Sequence, residues 1–338
     1  MSDFSRVQAA DLARYWTAVD ASDEAAASAG ALAARDRGVP LEEVLNGLVV
    51  AAQLRVGDLW AGNQWTVARE HAATAVAESV VRRLSDDLPE PTSGPLYVVA
   101  CVEREWHALP ALVVATILKG AGHRTLYLGA SVSRDELVAR ILDTGPRLVM
   151  LSASLTSSLP RVRRHIEAVR GTGTPTLVGG SAFDTAGLRA HRLGATAYAA
   201  NVAAAAAMFE AIPRHVPETP PLRHSGALEA REISAQADEI ARDVMTATDH
   251  ALGLSGAGEA AVSPDDWRVV LATYVPHVVD SLVGALLTDD ASVVAEARSW
   301  LEDVLIRRGG DPGAFDALQH ALALRLREYP QALRLLGV

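Results

Sequence analysis

Over residues 6–85 apolar side chains recur at helical spacing: Val7, Leu12, Tyr15 and Trp16, then Leu41, Val44, Leu45, Leu48, Val49 and Leu54. Gly38-Val39-Pro40 and Gly62-Asn63 interrupt the pattern. Asp23-Glu24 supplies the negative charge that a helix start favours. The spacing predicts four helices of ordinary length, a small bundle over 1–88. From 96 to 212 the period changes. Short apolar runs at Leu96–Val102, Thr125–Leu128, Leu148–Ser152, Thr176–Val178 and Thr196–Ala200 alternate with helical segments at Leu109–Lys119, Arg134–Leu142, Pro160–Val169 and Ala186–Leu193. This alternation predicts a doubly wound, Rossmann-like domain: five parallel strands, right-handed crossovers, and a ligand edge at the carboxyl ends of the strands. Residues 222–338 are helical again, with long amphipathic stretches at Trp267–Leu287, Val293–Arg307 and Ala314–Leu336. Proline- and glycine-bearing linkers at Asp86–Pro95 and Pro213–Pro221 separate the three parts. The expected fold class is α/β plus all-α.

Composition narrows the function. Of 338 residues, 49% are hydrophobic and 21% charged, enough to build real cores. A formal net charge of −10 argues against a chain built mainly to grip nucleic acid. Cys101 is the single cysteine, so no internal disulfide forms and a reducing compartment fits. No basic region followed by an apolar run opens the chain, and no apolar run reaches the roughly 20 residues of a membrane span. The expected location is the cytoplasm.

Candidate chemistry gathers on the ligand edge of the sheet. After the first strand comes Glu103-Arg104-Glu105-Trp106-His107-Ala108-Leu109-Pro110. An imidazole there can ligate a borderline metal, and a carboxylate two positions earlier can hold the other ring nitrogen and set the tautomer. Ser152 and Ser154 follow the third strand, and Gly179-Gly180 ends the fourth, where the lack of side chains lets a long ligand tail approach the backbone. Glu105, His107, Ser152 and Gly179-Gly180 together resemble the motif of the cobalamin-binding domain family. The resemblance implies that His107 replaces the cofactor's own base as the lower cobalt ligand. Two positions depart from the motif. Pro110 stands for its last glycine, in a first helical turn where a missing N–H is harmless, and Ser154 stands for leucine.

In the first domain, Trp60 is followed after nine residues by Glu70-His71. This resembles the cap of the adenosylcobalamin photoreceptors that regulate bacterial carotenoid genes. It implies that Trp60 and Glu70 pack around the adenosyl group and that His71 becomes the upper cobalt ligand once light breaks the carbon–cobalt bond. The chemistry is self-consistent: a flat ring shields the upper face, a carboxylate accepts from ribose hydroxyls, and a neutral imidazole captures a vacated metal site. Those photoreceptors open with a DNA-binding domain, whereas here the cap pattern begins close to Met1, so direct promoter binding is not expected.

In the third domain, Val270, Tyr274, His277 and Ser281 fall on one helical face by three- and four-residue steps. Pro276 is expected to kink that helix, and Trp300 with Arg307-Arg308 are candidates for stacking and for propionate contacts. The order of cap, cobalamin domain and extra helical domain resembles the photocobilins, which join a cobalamin module to a domain binding the linear tetrapyrrole biliverdin. That resemblance implies biliverdin near Tyr274 and His277.

The function expected is light sensing, signalled by a change in a homo-oligomer (dimer or tetramer) or by contact with a further protein, with no membrane or nucleic acid involved and no catalysis by the polypeptide itself. A corrinoid methyl carrier serving methyltransferases is the alternative, since such carriers share the cap and the cobalamin domain. Cys101 reads as core. His165, beside Arg161, Arg163 and Arg164, reads as part of a solvated basic face.

Overall fold

The computed structural model describes residues 6–254, 263 and 265–338. The cap consists of α1 (Ala9–Asp20), α2 (Glu24–Asp36), α3 (Leu41–Val44), a π-helical turn at Leu45–Val50, α4 (Ala51–Ala61) and α5 (Val67–Asp86). The segments from Leu41 to Ala61 run on without a break in helical backbone, so they act as one rod and the cap is a four-rod bundle, as the pattern predicts. Side-chain caps start two of the rods: Asp23 accepts from the Ala26 N–H at 2.9 Å and Thr66 from the Arg69 N–H at 3.2 Å.

The α/β domain follows as β1 (Leu96–Cys101), α6 (Ala108–Gly120), β2 (Arg124–Gly129), α7 (Arg134–Thr144), β3 (Leu148–Ser152), a 3-10 turn (Thr156–Ser158), α8 (Leu159–Gly171), β4 (Thr176–Gly179), α9 (Leu188–Arg192), β5 (Ala197–Tyr198) and α10 (Val202–Met208). The five strands are parallel in the order β2-β1-β3-β4-β5. The order reverses between β1 and β3, so the crevice at their carboxyl ends is where a doubly wound sheet receives its ligand. Alternate β1 residues enter different cores. Val98 and Ala100 face α7, α8 and the C-terminal helices, whereas Tyr97, Val99 and Cys101 face α6 and α10. Cys101 is fully buried. Helix α6 lies between the sheet and the cap, with Leu109, Leu112, Val113 and Ile117 in the cap core and Ala111, Ala115 and Leu118 on the sheet. Burial on both sides explains why α6 is apolar all round.

The C-terminal unit contains α11 (Ser225–Ala235), α12 (Ala237–Ala251), α13 (Trp267–Thr288), α14 (Ala291–Arg307), α15 (Ala314–Arg325) and α16 (Pro330–Leu336). The single helix expected over Ala314–Leu336 is two. Pro330 has no N–H to give and its ring collides with the carbonyl four residues back, so the chain turns at Leu326–Tyr329 and Pro330 opens a new helix. Pro276, in contrast, lies inside an unbroken α13. That helix has 22 residues and a mean hydropathy of 1.6 over its most apolar window, which corrects the expectation that no segment matches a membrane span by length and composition. Its place explains the apolarity: α13 is the central helix of this unit, with Leu271, Val275, Val279, Leu282 and Leu286 buried in a core continuous with one face of the sheet.

The expected solvated face of α8 is also corrected. His165 is fully buried and Arg161 and Arg163 nearly so: α13 takes Arg161 through Asp280, the 213–221 linker takes Arg163, and the loops after β1 and β2 enclose His165. Arg163 donates to the carbonyls of Leu193 (3.1 Å) and Pro220 (2.7 Å), and the His165 ring lies 2.9 Å from the Arg161 and Val132 carbonyls. Arg189 fastens the sheet side to α14, reaching Asp290 at 2.9 Å, Glu296 at 2.6 Å and the Ser292 hydroxyl at 2.9 Å.

Candidate functional site

His107 caps the start of α6 on the loop after β1. Its Nδ1 lies 2.5 Å from Glu105 Oε1, and its backbone N–H donates to the same oxygen at 3.1 Å. The other carboxylate oxygen, Oε2, accepts the backbone N–H groups of Ser154 (2.8 Å) and Leu155 (3.4 Å) and the Ser158 hydroxyl (3.0 Å). Glu105 is 1% exposed. Burial alone pushes its carboxyl upward, but the bond to His107 and the backbone donors outweigh it and hold the group below the ordinary range. The same bond raises His107 above its ordinary value, against the opposing effect of burial. With Nδ1 committed, Nε2 is the nitrogen left for a metal. Ser158 escaped the sequence reading: it sits in the run Ser154–Ser158, where nothing in period or motif distinguishes one hydroxyl from the next. Cys101 lies buried beneath this loop, its thiol pushed up to about 12, chiefly by burial.

His107 lines a cavity of about 360 Å³ between α4, α5 and the start of α6, shared with Gln53, Leu54, Glu70, His71, Thr74, Trp106, Pro110 and Ser154. Glu70 and His71 project from the first turn of α5. Glu70 accepts the Thr74 hydroxyl at 2.8 Å, and Gln53 donates to that hydroxyl at 2.5 Å, which fixes the carboxylate on the cavity wall. His71 Nε2 is 3.4 Å from Glu70 and the imidazole is 73% exposed, so it is free to swing. Leu54 and Trp106, both largely exposed, line the same opening.

A second cavity of about 170 Å³ runs beside the sheet and is lined by Ser152, Gly179, Gly180, Pro110, Met150 and Asn201 among others. A Cβ at Gly179 would lie 2.9 Å from the Ala199 carbonyl oxygen, and one at Gly180 (φ +111°) 2.2 Å from that of Ala153. Only glycine keeps this slot. Pro110 sits in the first turn of α6 and lines both cavities. The donor set and the slot fit a cobalt corrinoid: an oriented imidazole in one cavity and, beyond Pro110, a mostly apolar slot whose β4 end is kept open by two glycines.

Trp60 lines neither cavity. It ends α4 stacked on Trp300 (centroids 6.0 Å apart, planes at 21°) with Tyr274 at 6.3 Å. The Arg308 guanidinium covers its ring at 4.8 Å and donates to its carbonyl at 2.9 Å. The C-terminal unit therefore holds the end of α4. A third cavity, of about 160 Å³, lies between the Ser154–Ser157 segment and α13–α14, and includes Tyr274, His277, Ser281, Glu296 and Trp300. His277 Nδ1 lies 2.9 Å from the Ser157 hydroxyl, and burial first of all depresses its imidazole below the ordinary value. Ser154 borders both this cavity and the one holding His107. Among the described residues no cluster of three or more His, Cys, Asp or Glu side chains could hold a metal ion.

An α/β sheet with a histidine–carboxylate pair at its switch point, a glycine-walled slot and a helical cap defines a corrinoid-binding protein. One B12 binding domain family matches residues 95–210 and a second family of that description matches residues 12–85. These matches mark residues 12–85 and 95–210 as cobalamin-binding domains. The chain is 27% identical over 175 residues to dimethylamine corrinoid protein 3 of Methanosarcina acetivorans, covering 50% of this chain and 81% of that protein. It is 33% identical over 91 residues to the HTH-type transcriptional repressor CarA of Myxococcus xanthus, covering 27% of this chain and 32% of the repressor. The monomethylamine corrinoid protein of Methanosarcina barkeri shares the fold, with a TM-score of 0.52 at 18% identity over 60% of this chain and 98% of that one.

Proposed function

We propose that this protein is a light sensor that holds adenosylcobalamin between cap and sheet, with His107 as lower cobalt ligand and His71 as the upper ligand after illumination. The observation that carries the reading is the pair of imidazoles, His71 from the cap and His107 from the sheet, lining one cavity. When bound, the cofactor supplies a carbon–cobalt bond that visible light cleaves. The residues do the rest. Glu105 fixes the His107 tautomer, Glu70 with Thr74 and Gln53 offers acceptors to a polar upper group, and exposed His71 waits beside it.

Biliverdin is the proposed second chromophore, against Tyr274 and His277. At about 160 Å³ that cavity is below the roughly 300–1,000 Å³ of typical ligand sites, so seating a tetrapyrrole requires α14 to move and Trp300 to leave Trp60. The two chromophores would thus act on one helix, α4, the cobalamin near its start at Gln53 and Leu54 and the bilin at its end through Trp60. Signalling is proposed to run through a change in assembly of a homo-oligomer.

The match to dimethylamine corrinoid proteins favours a second reading, a methyl carrier with an open upper face. Scattering and mass measurements on the adenosylcobalamin-loaded protein, dark and then illuminated, separate the two. The sensor reading expects a change in radius or mass that His71→Ala abolishes. An identical particle in both states leaves the carrier or a passive binding module.

A further inference from the structure

Every donor to Glu105 Oε2 comes from residues 154–158, the segment between β3 and α8. The opposite side of this segment and of the first turn of α8 is bound to one face of α13. The Ser157 hydroxyl meets His277 at 2.9 Å, the Thr156 hydroxyl meets Ser281 at 3.0 Å, and Arg161 donates to Asp280 at 2.9 Å and to the Ser157 carbonyl at 3.0 Å. Residues 277, 280 and 281 share a helical face. One turn further on, α13 carries Gly284, where a Cβ would lie 3.1 Å from the Leu159 side chain and 3.2 Å from the Thr156 carbonyl oxygen. The helix thus approaches as closely as a glycine allows. Ser157 and Ser158 are 2% and 4% exposed, so water does not compete for these bonds.

We infer that α13 of the C-terminal unit is part of the lower-ligand apparatus: His277 and Ser281, acting through Ser157 and Thr156, are positioning residues that hold the 154–158 segment on Glu105 and so aim His107 at the metal. This rests on His107 as the lower ligand. It gives the C-terminal unit a route to the cobalt separate from its hold on the end of α4 through Trp60. Any ligand filling the Tyr274–His277 cavity would contact both ends of the His277–Ser157 bond, since both residues line it. A shift of α13 moves the carboxylate's donors, and a misaimed imidazole coordinates less completely.

The test uses the full chain labelled with nitrogen-15 histidine and loaded with cobalamin reduced to the Co(II) state. Paramagnetic resonance then reports the axial nitrogen: a two-line splitting marks labelled histidine, a three-line splitting the cofactor's own base. The wild type is expected to give two lines. In Ser157→Ala/Ser281→Ala the histidine-coordinated fraction is expected to fall and the dissociation constant for hydroxocobalamin to rise roughly tenfold, the low end for partners of a metal ligand. Ser158→Ala should reproduce that pattern. Ser157→Ala and Ser281→Ala, each deleting one bond, replace the double variant if its melting curve shows it unfolded. Three lines in the wild type would remove the His107 assignment itself. Two lines in the wild type with unchanged splitting and affinity in the folded variants would overturn the role of α13 and leave His107 standing.

Discussion

Glu105→Gln changes almost no volume, so its cost comes from hydrogen bonding. The carboxylate now accepts from His107 Nδ1 on one oxygen and from two backbone N–H groups and the Ser158 hydroxyl on the other, and it is 1% exposed. An amide can satisfy one side only. If its oxygen takes the Ser154 side, its NH₂ faces His107 Nδ1, and the ring must move its proton to Nε2, the nitrogen needed for the metal. If its oxygen keeps His107, its NH₂ faces the Ser154 N–H and two donors collide. Hydrogen bonds to charged groups contribute about 1.5–3 kcal/mol each. The His107 imidazole is half exposed and its share is screened, so the loss falls mainly on the buried Ser154 side. We expect the apo-protein to lose about 2–4 kcal/mol, read by urea unfolding, and cobalamin affinity to drop about 10–100-fold, read by absorption titration. Stability within about 0.5 kcal/mol of wild type, together with unchanged affinity, would refute the claim that Glu105 orients His107.

Gly180→Ala forces a Cβ to 2.2 Å from the Ala153 carbonyl at φ +111°. It should push the end of β4 off Ala153, distort the slot that Gly179 and Gly180 line, and weaken binding of complete cobalamin far more than of cobinamide, which lacks the nucleotide tail; equal losses would mean the slot carries no tail. Trp300→Ala removes the ring stacked on Trp60, an aromatic pair contributing about 0.5–1.5 kcal/mol. The expected result is a matching loss of stability and faster proteolysis near the end of α4, and unaltered cleavage there would remove the C-terminal unit's hold on the cap. Burial depresses the His277 imidazole, so the unfolded chain binds the extra proton first. Its contribution is present above the ordinary histidine value of about 6.5 and is lost as pH falls below it. Between pH 7.5 and 5.5, His277→Gln should flatten the fall of urea stability by up to about 1.4 kcal/mol per pH unit, and a slope equal to wild type would contradict the assignment.

Much of this was legible in the chain. The strand–helix alternation set the sheet, because β1 is buried on both faces and its apolar run is continuous. Glu105, His107 and the glycine pair could be placed because they end strands on the ligand edge. Other features depended on tertiary packing. Ser158 does its work through a turn whose neighbours are equally hydroxylic. The α8 arginines look solvated until the C-terminal helices and the 213–221 linker cover them, and His165 until the loops after β1 and β2 enclose it. Trp60 has the expected spacing from Glu70, yet its ring is taken by Trp300, Tyr274 and Arg308, more than two hundred residues further along the chain. Only local spacing can be read along a helix, and which neighbour claims a side chain is decided by packing between units.

The central claim, two histidines around one light-labile cobalt, is tested most directly by absorption spectra of the adenosylcobalamin-loaded protein before and after visible illumination, for wild type and His71→Ala. The account predicts that light converts the wild type to a stable bis-imidazole cobalamin spectrum and the variant to the water-ligated one. A water-ligated product in the wild type as well would contradict it.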